Sequence, residues 1–172
     1  MLKILITYFS NTGNTERVAQ SIKEGLEGQE IELKPVKDID PLCLKDYDLI
    51  FLGSGIYASR VNKSLSDLII AAQVLPQNFV FFCTHASVKG YQDGFKLVKR
   101  ALKKSSSNIL GEFDCMGDNI GIPEATIKSM LEKLPPDKRK EAEEHQKRLK
   151  GRPNEDDLEN AKKFSKSIIK KL

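Results

Sequence analysis

Tryptophan is absent from the 172 residues, histidine occurs twice and cysteine three times. The cysteines, Cys43, Cys83 and Cys115, are odd in number, far apart and without a C-x-x-C pair. That argues against a disulfide framework and against a zinc site, and reduced thiols are expected. No apolar run approaches the ~20 residues of a membrane helix, and Met1-Leu2-Lys3-Ile4 leads straight into a strand without a signal-peptide pattern. A cytoplasmic protein without membrane insertion is expected. The G-x-x-x-x-G-K-[ST] pattern of lysine-bearing nucleotide loops is also missing. The formal charge is +4, and much of the excess lies in Lys103-Lys104, Lys138-Arg139-Lys140, Lys147-Arg148 and Lys170-Lys171. Those segments also carry Glu and Asp and lack interleaved aromatics, so a solvated lysine-rich face is expected, not a nucleic-acid partner.

What is present is a chain of one-domain length, 40% hydrophobic, enough to bury a real core. Residues 1–172 are read as a single domain organised around Tyr8-Phe9-Ser10-Asn11-Thr12-Gly13-Asn14-Thr15. The run Ile4-Leu5-Ile6 before it reads as a buried strand, and Val18, Ile22 and Leu26 after it are spaced like the inner face of a helix. A loop so placed aims backbone N–H groups and the positive end of a helix dipole at one point, and Ser10, Thr12 and Thr15 add hydroxyls. With no Lys or Arg in the loop, a phosphate there would be held by neutral donors. An ordinary Ser/Thr-rich helix cap has the same composition.

Farther on, Ile31 to Val36 alternates like an edge strand that tolerates Pro35, and a short helical turn is expected around Leu42-Cys43-Leu44. Leu49-Ile50-Phe51-Leu52, ended by Gly53, and Phe79-Val80-Phe81-Phe82 read as strands covered on both faces. Helical spacing recurs at Leu65, Leu68, Ile69 and Ala72, stopped by Pro76, and at Phe95, Val98 and Leu102. Ile109 to Phe113 is a fifth strand. Residues 116–152 form a long insertion with a helix over 123–134 and a charged helix opened by Pro135-Pro136. A last helix, acidic at its start, turns Leu158, Ala161, Phe164, Ile168 and Leu172 inward. Strands alternating with helices predict a doubly wound α/β sheet.

In such a sheet ligands bind beyond the carboxyl ends of the strands. Three polar, glycine-containing segments meet there: Ser10 to Thr15, Gly53 to Arg60, and Thr84 to Asp93. The spacing Ser10-x-Thr12-Gly13-x-Thr15 directly after the first strand resembles the phosphate loop of flavodoxins. The other two segments resemble that family's flavin-ring loops, so the likeness covers the earlier, larger part of the chain in matching order. The resemblance implies a five-stranded parallel sheet of order 2-1-3-4-5 and FMN as cofactor. It also implies a one-electron carrier serving redox protein partners, as a monomer or homodimer. The cofactor-binding residues it implies are Ser10, Asn11, Thr12, Gly13, Asn14, Thr15, Ser54, Gly55, Ile56, Tyr57, Thr84, His85, Ala86, Gly90 and Tyr91. Tyr57, then Tyr91, are the ring-stacking candidates in a chain without tryptophan. Gly55 is expected to let a peptide beside the flavin rotate through φ > 0. His85, without an evident carboxylate partner, is expected to make a loop contact only. Arg60 and Lys63 follow Tyr57 closely and place positive charge either at the ring edge or in solvent.

The segment Gly53-Ser54-Gly55-Ile56-Tyr57 also resembles the corresponding loop of a flavodoxin-like oxidase, which leaves open an FMN-dependent quinone or protoporphyrinogen-type dehydrogenase on the same scaffold. A response regulator of related fold is the other class. It needs an acidic cluster at the strand ends, whereas here the first strand leads into Ser and Thr.

Overall fold

A computed structural model describes residues 1–172. The apolar runs become five parallel strands: β1 (Lys3–Phe9), β2 (Glu30–Pro35), β3 (Leu49–Gly55), β4 (Asn78–His85) and β5 (Asn108–Met116). Their order is β2-β1-β3-β4-β5, every pairing is parallel, and β1 lies next to the edge strand that carries Pro35. The order reverses between β1 and β3, because successive connections leave β1 in one direction and β3 in the other.

Three helices follow the first, third and fourth strands: α1 (Asn14–Gly25), α2 (Lys63–Ala71) and α3 (Lys96–Leu102). Short 3-10 turns at Val36–Asp38 and Pro41–Asp46 connect β2 to β3. The insertion holds α4 (Glu124–Glu132) and α5 (Pro136–Leu149), and α6 (Glu155–Ile169) closes the chain. Helix starts follow local chemistry. The Asn62 side chain accepts from Ser64 N at 3.0 Å to begin α2. At α6, Asn154 Oδ1 accepts from Asp157 N while Asp157 Oδ2 accepts from Asn154 N, a reciprocal box. No helix is long and apolar enough to cross a membrane.

The sheet separates two cores. Leu5, Ile50, Leu52, Phe79, Phe81 and Cys83 face α2 and α3, whereas Ile4, Ile6, Phe51, Val80, Phe82 and Cys115 face α1 and α6. Alternation along each strand produces this division. It sets Cys83 and Cys115 on opposite faces, so they cannot meet in a disulfide.

Three strands outrun their apolar runs at the carboxyl end. β3 continues through Gly53 to Gly55, β4 through Cys83 to His85, and β5 to Met116. Gly53 does not end its strand, because it pairs in register with both Tyr8 and Phe82. A Cβ there would stand 2.0 Å from the Phe82 ring, so glycine makes room for the aromatic. Leu172, expected inward, lies past the end of α6 and is exposed.

The insertion is fastened back onto the domain. Arg139 donates from Nε to Leu131 O at 3.1 Å and from Nη2 to Glu132 O at 2.7 Å, satisfying carbonyls at the end of α4. Leu149 is fully buried, and His145 Nε2 lies 2.6 Å from Ala86 O, joining α5 to the segment after β4.

Candidate functional site

Between the carboxyl ends of β1, β3, β4 and β5 lies a cleft of about 320 Å³, within the range of small-molecule sites. Its first wall is the loop after β1. Gly13, at φ 88°, takes the left-handed conformation that turns the chain into α1, and its N–H donates to Ser10 Oγ at 3.1 Å. The N–H groups of Thr12, Asn14, Thr15 and Glu16 find no acceptor in the protein. They are the free donors of a helix start, at the end of the helix dipole that favours an anion. Asn11 and Thr12 are exposed in the cleft. Asn14 is buried, donates from Nδ2 to Asp118 O at 2.9 Å and leaves Oδ1 buried without a partner. Thr15 is buried and does not line the cleft: its hydroxyl bonds Thr84 Oγ1 at 2.9 Å, tying α1 to β4.

The second wall follows β3. Gly55 does not take a left-handed conformation. The peptide after it is engaged at both ends, with Ser54 Oγ donating to Gly55 O at 2.7 Å and Ile56 N donating to Thr84 O at 2.9 Å. The rotation expected at Gly55 is therefore opposed by two hydrogen bonds. Glycine leaves room here for the Tyr57 side chain, whose hydroxyl would lie 2.7 Å from a Cβ. The left-handed residues of this loop are Ala58 (φ 47°) and Ser59 (φ 64°), at the tip of a hairpin closed by Tyr57 N to Arg60 O (2.7 Å) and Arg60 N to Tyr57 O (3.0 Å). Two consecutive non-glycine residues there store backbone strain beside the cleft. The Tyr57 ring meets Phe9 edge-on at 5.8 Å, and its hydroxyl accepts from Asn11 N at 3.4 Å. Burial pushes that phenol's pKa up, only partly offset by the Asn11 N–H.

The third wall follows β4. His85 is buried, and Nδ1 lies 2.7 Å from Ser87 O. A carbonyl only accepts, so Nδ1 is the donor in that contact. Nε2 faces Asp114 Oδ2 at 3.1 Å, so the histidine does have a carboxylate partner, supplied by β5 and invisible in local sequence. Tyr91 stacks on the His85 ring at 3.7 Å, 3° from parallel, and the Asp114 charge, then desolvation, raises its pKa. Tyr91 thus backs the histidine, and neither it nor Gly90 borders the cleft. Ser54 lies behind the surface, accepting from Asn62 N at 3.0 Å. Of the residues expected at the cofactor, the cleft brings together Asn11, Thr12, Asn14, Gly55, Ile56, Tyr57, Thr84, His85 and Ala86.

A fourth wall was not anticipated: Gly117, Asp118, Asn119, Ile120, Gly121 and Ile122 line the cleft from the start of the insertion. Gly117 N donates to His85 O at 2.9 Å, and Asp118 Oδ2 accepts from Gly151 N at 2.8 Å. The signal was there to read, since Gly117-Asp118-Asn119 repeats after β5 the glycine-and-polar composition found after β1, β3 and β4. Cys115 is near but faces the core with α1, and burial pushes its thiol up to about 12. No group of acidic, histidine or cysteine side chains is arranged to hold a metal ion.

A family model described as a flavodoxin domain matches residues 5–166. An uncharacterized protein of Methanocaldococcus jannaschii is 30% identical over 171 residues, covering 98% of this chain and 99% of its own. Among solved structures, oxidised flavodoxin 2 from Bacillus cereus superposes with a TM-score of 0.67 at 19% identity, over 99% of both chains. A flavoprotein from Lactobacillus acidophilus, solved in complex with FMN, superposes with a TM-score of 0.52 at 16% identity, over 66% of this chain and 93% of its own.

Proposed function

Because the chain belongs to the flavodoxin family, we propose that it binds FMN in the strand-end cleft and carries electrons between redox partner proteins. The residues fit the cofactor. The unpaired N–H groups of Thr12, Asn14 and Thr15 supply neutral donors for a terminal phosphate at a helix start. The orphaned Asn14 Oδ1 is an acceptor waiting for a hydroxyl, which the ribityl chain carries. Tyr57 and Ile56 offer an aromatic and an aliphatic face to an isoalloxazine ring and exclude water from it. When bound, the flavin supplies reversible electron uptake, and the chain's part is to bind, orient and shield it.

One observation favours a carrier over a dehydrogenase. Apart from the Tyr57 phenol, the titratable side chains lining the cleft are His85 and Asp118, and both are committed to the fold, His85 to Ser87 O and Asp114, and Asp118 to Gly151 N. General acid–base catalysis needs an acid or base within reach of the substrate, and neither side chain is free to supply it. The test is reconstitution with FMN, chromatography of the released cofactor, and stepwise reduction followed by visible spectroscopy. The expected result is stoichiometric FMN reduced in two separable one-electron stages. Failure to retain FMN would overturn the cofactor assignment, and a single two-electron conversion would favour the dehydrogenase.

A further inference from the structure

A second concavity, about 900 Å³, runs between α2 and α3 on the outer face of the domain. Its apolar lining includes Ile70 and Leu97, which are 71% and 52% exposed. Isolated exposed aliphatics are ordinary, but two on facing helices over one groove form a patch of the kind that a partner covers. The charge around it is mostly positive. Arg60, Arg100 and Lys104 line the groove, Lys96 borders its mouth beside Arg60, and none of the four pairs with a carboxylate. Lys63 is neutralised by Asp67 at 2.6 Å, and Asp93 is the remaining acid at the mouth.

One hairpin separates the groove from the candidate cofactor site and borders both. Arg60 is hydrogen-bonded through its backbone to Tyr57, so one tight hairpin presents Tyr57 to the cleft and Arg60 to the groove. Val61 N donates to Gly94 O at 3.2 Å, fastening that hairpin to the segment before α3.

We infer that the α2/α3 groove is the docking surface for an acidic redox protein, which lays a carboxylate-rimmed apolar ridge between the helices and meets the Tyr57–Arg60 hairpin. This rests on the FMN-carrier reading. Arg60, Lys96, Arg100 and Lys104 steer and orient the partner, while Ile70 and Leu97 provide the dry centre that holds it. In the transfer step the partner's reduced centre loses one electron and the bound flavin gains it.

The test uses the FMN-loaded protein with a strongly acidic [2Fe–2S] ferredoxin and a strongly basic cytochrome c as opposite-charge probes. Stopped-flow rates are compared for wild type and the R100E/K104E variant across ionic strength. The expected result is a ferredoxin rate that falls with salt and drops about tenfold or more in the variant at low salt, with cytochrome c reduction unchanged or faster. Chemical shifts of the cofactor-free protein titrated with the same ferredoxin give a second reading, expected to move at Ile70, Leu97 and Arg100. That reading survives even where the FMN assignment fails. A ferredoxin rate indifferent to salt and to the charge reversals would overturn the inference. So would self-association abolished by Ile70→Asp, which would assign the groove to a second copy of the chain.

Discussion

Two threonines with similar sequence credentials have different surroundings, and this separates their expected roles. Thr12 is exposed in the cleft, whereas Thr15 is buried and bonded to Thr84. A hydroxyl donating to a charged phosphate contributes about 1.5–3 kcal/mol, so Thr12→Val should weaken FMN binding about ten- to a hundredfold in a fluorescence titration. Thr15→Val leaves Thr84 Oγ1 unpaired in a buried place and should cost about 1–3 kcal/mol of stability in urea unfolding, with a smaller change in affinity. Cysteine reactivity divides the same way. Cys43 is exposed while Cys83 and Cys115 are buried, and desolvation raises both buried thiols' pKa values. Ellman's reagent at pH 8 should label Cys43 at once and the other two only after unfolding. Cys115 moves from an ordinary 9.0 to about 12 in the folded state, so the fold holds its proton more tightly than the unfolded chain does. The associated stability is intact below about pH 9 and is lost as pH climbs toward 12. Denaturant midpoints measured across that window should fall, and a flat profile would contradict the burial.

Helix and strand packing decide the sign of the next substitution. Glycine in an exposed helix costs about 1 kcal/mol relative to alanine, which would make Gly25→Ala stabilising at the end of α1. Here a new Cβ would stand 2.0 Å from Ser165 Oγ and 2.3 Å from Lys162 O of α6, and Ser165 is held in place by Ile22 O at 3.0 Å. Overpacking of this kind costs about 1–3 kcal/mol, so Gly25→Ala should lower the thermal midpoint. The same scale explains what the sequence could and could not reveal. Strand centres such as Ile4 to Ile6 and Leu49 to Leu52 are legible because burial on both faces demands continuous apolar residues. Strand ends are not. Gly55, Thr84, His85 and Asp114 keep ladder pairing while their composition turns polar, so they read as loop although they are strand. The His85–Asp114 contact spans adjacent strands twenty-nine residues apart, and no local pattern announces it. Tyr91 reads as a ring-stacking candidate by residue type, yet one of its faces is taken by His85 and it does not line the cleft.

Across the whole molecule, α1, the helix after the proposed phosphate loop, depends on a segment far along the chain. α1 is covered by α6, with Val18, Ile22, Ala161 and Ile168 in one buried cluster. Removing residues 155–172 should therefore leave α1 unanchored and strip the protein of both cooperative unfolding and FMN, whereas a truncation after Ile169 should preserve both. Calorimetry with a cofactor assay would distinguish the two. The consequence reaches into biosynthesis. β1 has β2 and β3 on either side in the finished sheet, and the helix that follows it keeps an uncovered apolar face until α6 has been translated. The nascent chain therefore carries an unfinished loop before α1 while β2 to α5 are made, and α6 acts as the latch that completes it. Stalled chains ending before residue 155 should bind a chaperone that recognises apolar helix faces, and chains in which α6 is present and folded should not.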